Sequence, residues 1–239
     1  MKYLELTFDD PARNLACDEA LLQRCEQEKA EGVLRVWEPK NFFVVLGYSN
    51  KMTTEVNVAM CAERGISILR RFSGGGTVLQ GPGCLNYTLV AKNHRSGTLG
   101  DITQAYAQVL KRHQHVVEGL ISEPVQIEGI SDLAIGGRKF SGNAQHRKHN
   151  YTLVHGCFLL NFDLALMEIC LHMPSRAPAY RQGRSHQSFL RNLLLDSVTI
   201  KASLRREWRT DGNLLEVPSD NIDELVNRRY ACAGWNRKF

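Results

Sequence analysis

The sequence contains no segment that resembles a membrane span or a leader peptide. No window approaches the roughly 18 uncharged apolar residues that a bilayer-crossing helix needs. The first residues, MKYLELTFDDPARN, lack the basic region and apolar run that are typical of a secretory signal. These absences predict a cytoplasmic protein that is not bound to a membrane.

The seven cysteines are scattered singly and form no CxxC pair. An odd number without close spacing argues against a disulfide framework and against a structural zinc site. The eight histidines show no HExxH-like spacing, so the sequence assigns no metal ligand. Free thiols of this kind fit a reducing compartment.

Internal repeats, low-complexity stretches and Pro/Gly/Ser-rich linkers are also lacking, although a chain of 239 residues can bury a substantial core. We therefore expect one domain over residues 1–239. The net charge of +5 is mildly basic. It would suit an acidic protein, a nucleotide or a nucleic acid, and equally a solvated surface with a few additional basic side chains.

Hydrophobic periodicity predicts interleaved helices and strands. In the first helix the apolar spacing would bury one face and leave Asp18, Glu19 and Arg24 outside. Several strand pairs are joined by loops too short for a parallel crossover, which predicts an α+β fold with a largely antiparallel or mixed sheet flanked by helices. The predicted helices cover 14–28, 55–64, 101–120, 164–172, 185–196 and 221–230, and the predicted strands cover 33–37, 42–48, 66–72, 85–91, 124–127, 132–135, 138–140 and 151–162.

The most distinctive local pattern is RRFSGGGTVL, residues 70–79. Three consecutive glycines after a strand leave successive N–H groups accessible, so that an anion can approach the backbone closely. Two neighbouring arginines could contact a carboxylate or a phosphate. The spacing matches neither a P-loop nor a GxGxxG motif, and a tight turn or bulge would equally explain the glycines.

A second pattern is DLAIGGRKFSGNAQ, residues 132–145. Gly136-Gly137 predicts a two-residue hairpin turn, which places Lys139 early on the returning strand and opposite in direction to Phe140. A lone strand lysine is usually a solvated charge. Here small and polar residues follow at once, which favours a ligand-lined groove.

Two further segments are less specific. His155 lies within the apolar strand VHGCFLLN and could be a ligand contact or a hydrogen-bonded core histidine. The segment RSHQSFLRNL, residues 184–193, is basic and could be an amphipathic surface helix.

In this order the patterns resemble the lipoate–protein ligase A family. RRFSGGGTV is similar to its RRxSGGGxV signature, GGRKFSGNAQ to its lysine motif, and HGCFLLNFDL to its HG strand; NLACDEALL, FFVVLGYSN and RRYACAGWN also fit. The resemblance covers most of the chain. It implies the mixed-sheet catalytic domain that lipoate and biotin protein ligases share.

The resemblance also implies an ATP-dependent reaction. A lipoyl-type carboxylate would attack ATP with the help of Mg²⁺, and the acyl group of the resulting adenylate would pass to an acceptor lysine. Lys139 matches the catalytic lysine of the family and would contact both the phosphate and the acyl carbonyl. The implied nucleotide-binding residues are Arg71, Gly76, Thr77, Val78, Leu79 and Lys139. The implied acyl-binding residues are Arg70, Ser73, Gly74, Gly75, Lys139, Gly142 and His155.

The implied acceptors are lipoyl domains of 2-oxoacid dehydrogenase acyltransferases or the glycine-cleavage H protein. The C-terminal accessory domain of longer relatives is not found in this sequence, so a separate accessory subunit is an open alternative. ATP-free relatives use a cysteine nucleophile, but Ser175 follows Pro174 where one subgroup has it, and residues 123–131 contain none. Cys84 and Cys157 are interpreted as small buried residues.

Three hypotheses stay open on the sequence alone. The first is an ATP-dependent lipoate–protein ligase. The second is an adenylate- or carrier-dependent lipoyl or octanoyl transferase of the same fold. The third is a non-catalytic ligand- or RNA-binding module, against which the sequence offers no RNP-like strand and no GXXG loop between helices, so that no nucleic acid partner is expected.

Overall fold

The computed structural model describes residues 1–93 and 101–239. Most strands belong to a seven-stranded sheet in the order β1-β2-β6-β10-β9-β8-β7, in which only β1 and β2 pair in parallel. A second sheet has the order β4-β3-β5. The strands are β1 Lys2–Glu5, β2 Val33–Trp37, β3 Phe43–Leu46, β4 Ser67–Arg70, β5 Val78–Gln80, β6 Cys84–Lys92, β7 Gln126–Glu128, β8 Asp132–Ile135, β9 Arg138–Arg147 and β10 Tyr151–Leu159.

Helices cover both faces of the large sheet, which confirms the predicted α+β architecture with its mixed sheet. The α-helices are α1 Pro11–Glu28, α2 Met52–Glu55, α3 Val58–Glu63, α4 Ile102–Glu118, α5 Leu164–Cys170, α6 His186–Phe189, α7 Ser197–Glu207, α8 Ser219–Leu225 and α9 Ala233–Asn236. None of the helices in the described part of the chain is long and apolar enough to cross a membrane.

The two faces of the strands β6, β10 and β9 differ in character. Tyr87, Leu89, Val154, Phe158 and Phe140 point to one face, where they form an apolar core with α4 and α7. Successive strand residues point to opposite faces, so the neighbours of these residues lie on the other side. That second face packs against α1 and the small sheet, and its polar and small residues form the candidate site.

The predicted helix 14–28 is confirmed, with its start three residues earlier at Pro11, where the Asp10 side chain accepts from the N–H of Ala12. The prediction that Asp18 and Glu19 lie outside is wrong, because both are buried. Asp18 pairs with Arg35, and Glu19 pairs with Arg229, which removes the cost of burying an unpaired carboxylate.

The predicted helix 185–196 is correct only in its first turn. Beyond Phe189 the backbone bonds to sheet strands instead: the N–H of Arg191 donates to the carbonyl of Lys139, and that of Leu193 to the carbonyl of Leu159. The helix α7 then begins after Asp196, whose carboxylate accepts from the N–H of Thr199. Asp196, which the sequence predicts at the end of a helix, caps the start of the next one.

Of the predicted helix 55–64, residues 58–63 are helical as α3; Glu55 ends the separate helix α2, Val56 is extended and Asn57 caps the start of α3. The predicted strand 138–140 is longer than expected and extends to Arg147. Its added residues include the polar stretch that sequence reading placed in a groove. These residues carry most of the candidate site.

Candidate active site

The glycine loop, residues 73–77, follows β4 and lies over the polar face of the large sheet. The Arg71 guanidinium is buried beneath it and donates to the carbonyls of Gly74 (2.7 and 3.1 Å) and Gly76 (2.7 Å). Burial lowers the Arg71 pKa to about 10, so the side chain stays charged at neutral pH. No residue in the described ranges 1–93 and 101–239 accepts a hydrogen bond from the N–H groups of Gly74, Gly75 or Gly76, so these groups are available to a ligand.

Gly75 is the position where the loop requires glycine. Its φ of +89° lies in the region that other residues rarely adopt, and a Cβ there would lie 2.8 Å from Nη2 of Arg71. The same Cβ would lie 3.4 Å from the Cβ of Ala144 on β9. The loop therefore lies directly on the sheet next to Ala144.

Lys139 follows the glycine turn and folds back along its own strand. Gly136 and Gly137 have φ of +58° and +70°, which confirms the predicted hairpin. The ladder pairs Leu133 with Ser141 but Ala134 with Lys139, so Phe140 is an additional residue of β9 that enters the apolar core. Irregularities of this kind redirect side chains next to active sites.

The Lys139 ammonium lies against Gly142, where a Cβ would be 2.6 Å from Nζ. It pairs with Asp132 Oδ1 at 2.9 Å, and Asp132 Oδ2 accepts from the Tyr180 hydroxyl at 2.8 Å. The Lys139 side chain is 25% exposed and that of Asp132 is 8% exposed. The ammonium is thus held on the sheet surface but remains accessible from solvent.

The loop and the lysine flank one gap. Gly142 and Ala144 are two residues apart on β9, so their Cβ positions share a face at a spacing of about 7 Å. The Lys139 ammonium lies at Gly142 and the loop at Gly75 lies at Ala144. A group placed between them would meet an ammonium on one side and free backbone N–H groups on the other, which suits a phosphate or carboxylate.

A chain of buried polar groups supports the loop from below. Ser73 Oγ lies 2.7 Å from Nε2 of His155, and His155 Nδ1 lies 3.3 Å from Oδ2 of Asp18. Arg35 holds the other Asp18 oxygen at 2.6 Å. Burial alone would raise the pKa of Asp18, but Arg35 and His155 hold it below its ordinary value. In the tautomer with the proton on Nδ1, His155 donates to Asp18 and accepts from the Ser73 hydroxyl at Nε2.

A family model, described as the lipoyl protein ligase A/B catalytic domain, matches residues 10–203. The chain belongs to this family. An octanoyltransferase LipM of Brevibacillus brevis is 26% identical, with 98% of each chain covered. Lipoate–protein ligase 1 of Staphylococcus aureus is 26% identical over 95% of this chain and 70% of its own. The fold matches that of a candidate lipoate protein ligase from T. acidophilum, solved with bound lipoic acid, at a TM-score of 0.83. The two are 19% identical, and the match covers 100% of this chain and 99% of the T. acidophilum chain.

The structure brings most of the predicted site residues of this lipoyl ligase family member together. Gly74 to Gly76, Gly142 and Lys139 adjoin the gap, whereas Ser73 and His155 lie beneath the loop and contact each other. Thr77 accepts from the Asn50 amide at 3.0 Å, and Val78 is half-buried. The Leu79 side chain lies in the core, so only its backbone could face a nucleotide.

Arg70 is placed elsewhere. Its side chain is fully buried, and its guanidinium donates to carbonyls of Gly47, Tyr48 and Asn50 and to those of two residues of α9. These contacts join the turn after β3 to the C-terminal helix. The predicted contact of Arg70 with the acyl carboxyl stays a prediction, and this geometry does not support it.

Cys84 is buried as expected, whereas the burial expected for Cys157 is wrong because it is partly exposed. Cys157 pairs across the ladder with Gly142 and therefore faces the Lys139 ammonium. A hydrogen bond with the Cys84 thiol and the charge of Lys139 lower the Cys157 pKa. At the position after Pro174, where one subgroup of ATP-free relatives is expected to have its cysteine nucleophile, Ser175 donates its hydroxyl to the Glu55 carboxylate.

Asp18, Asp132 and Tyr180 have no specific sequence signal. The hydrophobic pattern predicts Asp18 on the solvent side of a helix and Asp132 only as the start of a strand. A charged residue on the inward face of an amphipathic helix is the one pattern that could have identified Asp18.

Proposed function

We propose that this chain activates lipoate, or octanoate, with ATP and transfers the acyl group to an acceptor lysine. The observation that carries the proposal is the gap between the free N–H groups of the glycine loop and the ammonium of Lys139. An acyl-adenylate has a phosphate and a carbonyl side by side, and this gap offers donors to both. As charge develops on the phosphoryl and carbonyl oxygens, donors fixed in advance stabilise it without reorganisation.

The residues present fit the nucleotide better than they fit a resident metal. Among the described residues no group of three or more His, Cys, Asp or Glu side chains could hold a metal ion. Mg²⁺ usually binds through substrate phosphates and only one or two carboxylates, so it would arrive with ATP. Its charge would offset that of the phosphates, while Arg71 holds the loop and Lys139 the reacting group.

The proposed acceptors are lipoyl domains of 2-oxoacid dehydrogenase acyltransferases or the H protein, in the cytoplasm. A mildly basic chain suits an acidic acceptor surface. The proposal takes residues 1–239 as one catalytic domain and allows for a separate accessory subunit in the adenylation step.

The alternative is an ATP-free octanoyl or lipoyl transferase. It is favoured by the relatives that carry the name octanoyltransferase and by Cys157, whose thiol faces Lys139. In that reaction a thiolate would take the acyl group from a carrier thioester and pass it to the lysine. Neither position expected for such a nucleophile holds a cysteine, which is why we favour the ligase.

Mass spectrometry of an apo lipoyl domain separates the two. The purified chain is incubated with acceptor, ATP, Mg²⁺ and lipoate, and each is omitted in turn. The ligase proposal expects acceptor acylation that requires ATP, together with lipoate-dependent exchange of pyrophosphate into ATP. Acylation from an octanoyl carrier protein without ATP would support the alternative, and no acylation from either donor, with or without an accessory subunit, would refute both.

A further inference from the structure

Asp132 is a buried carboxylate next to the proposed reaction centre, and the function described above does not use it. Its Oδ1 pairs with Lys139 Nζ at 2.9 Å, and its Oδ2 accepts from the Tyr180 hydroxyl at 2.8 Å. Two fixed partners on opposite oxygens hold the carboxylate in one orientation. The ring of Tyr180 packs on Phe189, which holds the Tyr180 hydroxyl in position next to Asp132.

The ion pair poses a chemical question, because Lys139 must serve an anionic acyl donor while it is neutralised by Asp132. An ammonium has three donor protons. Lys139 can therefore keep one bond to Asp132 and offer the others to the phosphate and the acyl carbonyl. In that arrangement Asp132 lies one ammonium group away from the carbonyl carbon that the acceptor must attack.

The acceptor lysine arrives with a proton that it must lose. A lysine side chain is an ammonium at neutral pH and has no lone pair with which to attack. It must approach from the solvent side of Lys139, where that side chain is 25% exposed. A fixed carboxylate at this entrance attracts the incoming ammonium and can accept its proton.

We propose that Asp132 is the base that takes the proton from the acceptor lysine. This inference rests on the proposed acyl transfer. One proton passes from the acceptor ammonium to Asp132, and the freed nitrogen lone pair forms the C–N bond. The C–O bond to the phosphate breaks, its electron pair leaves with AMP, and the second nitrogen proton goes to solvent.

Hydroxylamine separates this role from the simple placement of Lys139, because it is neutral at neutral pH and attacks acyl groups without a base. Chemically synthesised lipoyl-adenylate serves as the donor, so that ATP activation does not enter the assay. Mass spectrometry measures the acylated lipoyl domain in one reaction and lipoyl-hydroxamate in the other. For both reactions the wild-type chain is compared with Asp132→Asn, Asp132→Glu, Tyr180→Phe, Lys139→Ala and Asp163→Asn.

The proposal expects Asp132→Asn to slow transfer to lysine by about a hundredfold or more, the usual contribution of a general base. Enzyme-dependent hydroxamate formation stays near the wild-type rate. Asp132→Glu keeps a carboxylate and regains part of the lysine transfer, and Tyr180→Phe causes a smaller loss than Asp132→Asn. Lys139→Ala slows both reactions. Asp163 caps α5 away from the site, so Asp163→Asn changes neither.

Equal losses with lysine and hydroxylamine in Asp132→Asn would reduce Asp132 to a positioning residue for Lys139 and overturn the proposal. Unchanged transfer to lysine would overturn it as well. If the wild-type chain forms no hydroxamate beyond the uncatalysed rate, the proposed acyl transfer itself fails. The wild-type and variant results thus distinguish the two failures.

Discussion

The two faces of the strands β6, β10 and β9 are built from alternate residues of the same segments, yet they differ in purpose. Phe158 and Val154 are fully buried in the apolar core, whereas His155 contacts Ser73 of the glycine loop and Cys157 faces Lys139. One face has large apolar side chains, and the other has small or polar ones. Because alternate residues point to opposite faces, one sheet supplies both a core and a site. Substitutions on the apolar face and on the polar face should therefore have separable effects on stability and on acyl transfer.

The polar face is supported by buried charges, and breaking one pair should have the largest effect on stability. Asp18→Asn leaves Arg35 without its carboxylate partner in the interior, which typically costs about 3–5 kcal/mol. It also removes the group that orients His155. Chemical denaturation measures the change in the free energy of unfolding.

Asp9→Asn is the matched control. Its partner Lys40 and Asp9 itself are 67% and 81% exposed, so its loss should cost at most about 1 kcal/mol. Equal changes in the free energy of unfolding for the two substitutions would show that the buried polar contacts of Asp18 do not stabilise the fold.

The apolar face should determine part of the stability in acid. Burial lowers the pKa of His113 to about 3, from an unfolded value near 6.5. Between these values the unfolded chain binds a proton that the folded chain does not. The contribution of neutral His113 to the free energy of unfolding is therefore fully present above about pH 6.5. It is lost as the pH falls toward 3, by about 1.4 kcal/mol per pH unit.

His113→Gln should remove this part of the pH dependence and leave acyl transfer at neutral pH unchanged. His113 contacts Tyr87 and Trp208 on the core side of the sheet, away from the loop. Urea denaturation across this pH range tests the point. The same slope in wild type and variant would assign the acid sensitivity to other groups.

On the polar face, Gly75→Val should abolish adenylate binding. The new side chain would collide with Arg71 and would require a φ near +89° that valine avoids. Isothermal titration with a non-hydrolysable adenylate analogue measures the loss. Gly234→Val is the control, because a Cβ at Gly234 meets nothing within 4 Å. Unchanged affinity in Gly75→Val would make the loop a structural turn only.

Cys157→Ser should have the smallest effect on the polar face under the ligase proposal. Its thiol faces Lys139, but an adenylate needs no thiolate, so transfer should stay within about tenfold of wild type, well short of the loss expected for a covalent nucleophile. Cys170→Ser, at a buried position beside α3, is the control. Complete loss in Cys157→Ser, or a trapped acyl-thioester at this residue, would favour the ATP-free alternative.

Local signals were sufficient to predict much of the fold. The Gly136-Gly137 turn, the helix α4 and the strand β10 follow from short-range rules and are confirmed. The family motifs led to the glycine loop and to Lys139 as candidates. These features depend on residues that are close together in the sequence.

What could not be predicted depends on partners that are distant in the sequence. Asp18 is buried because Arg35 and His155 meet it, and neither is near it in the chain. Arg70 and Arg71 are adjacent and identical in type, yet one binds carbonyls around α9 and the other supports the loop. The segment after Phe189 leaves helical geometry because strand edges accept its N–H groups.

The most direct test of the account is the rate of acyl transfer by Lys139→Ala, measured together with its stability. The ammonium is the charge that faces the free N–H groups of the loop, so its removal should slow transfer by about a hundred- to thousandfold. Because Lys139 is partly exposed and the buried Asp132 keeps the Tyr180 hydroxyl as a partner, the free energy of unfolding should fall by less than the loss of about 3–5 kcal/mol expected for breaking a fully buried ion pair. Transfer within tenfold of wild type in a fully folded variant would contradict the assignment of this face as the site of acyl transfer.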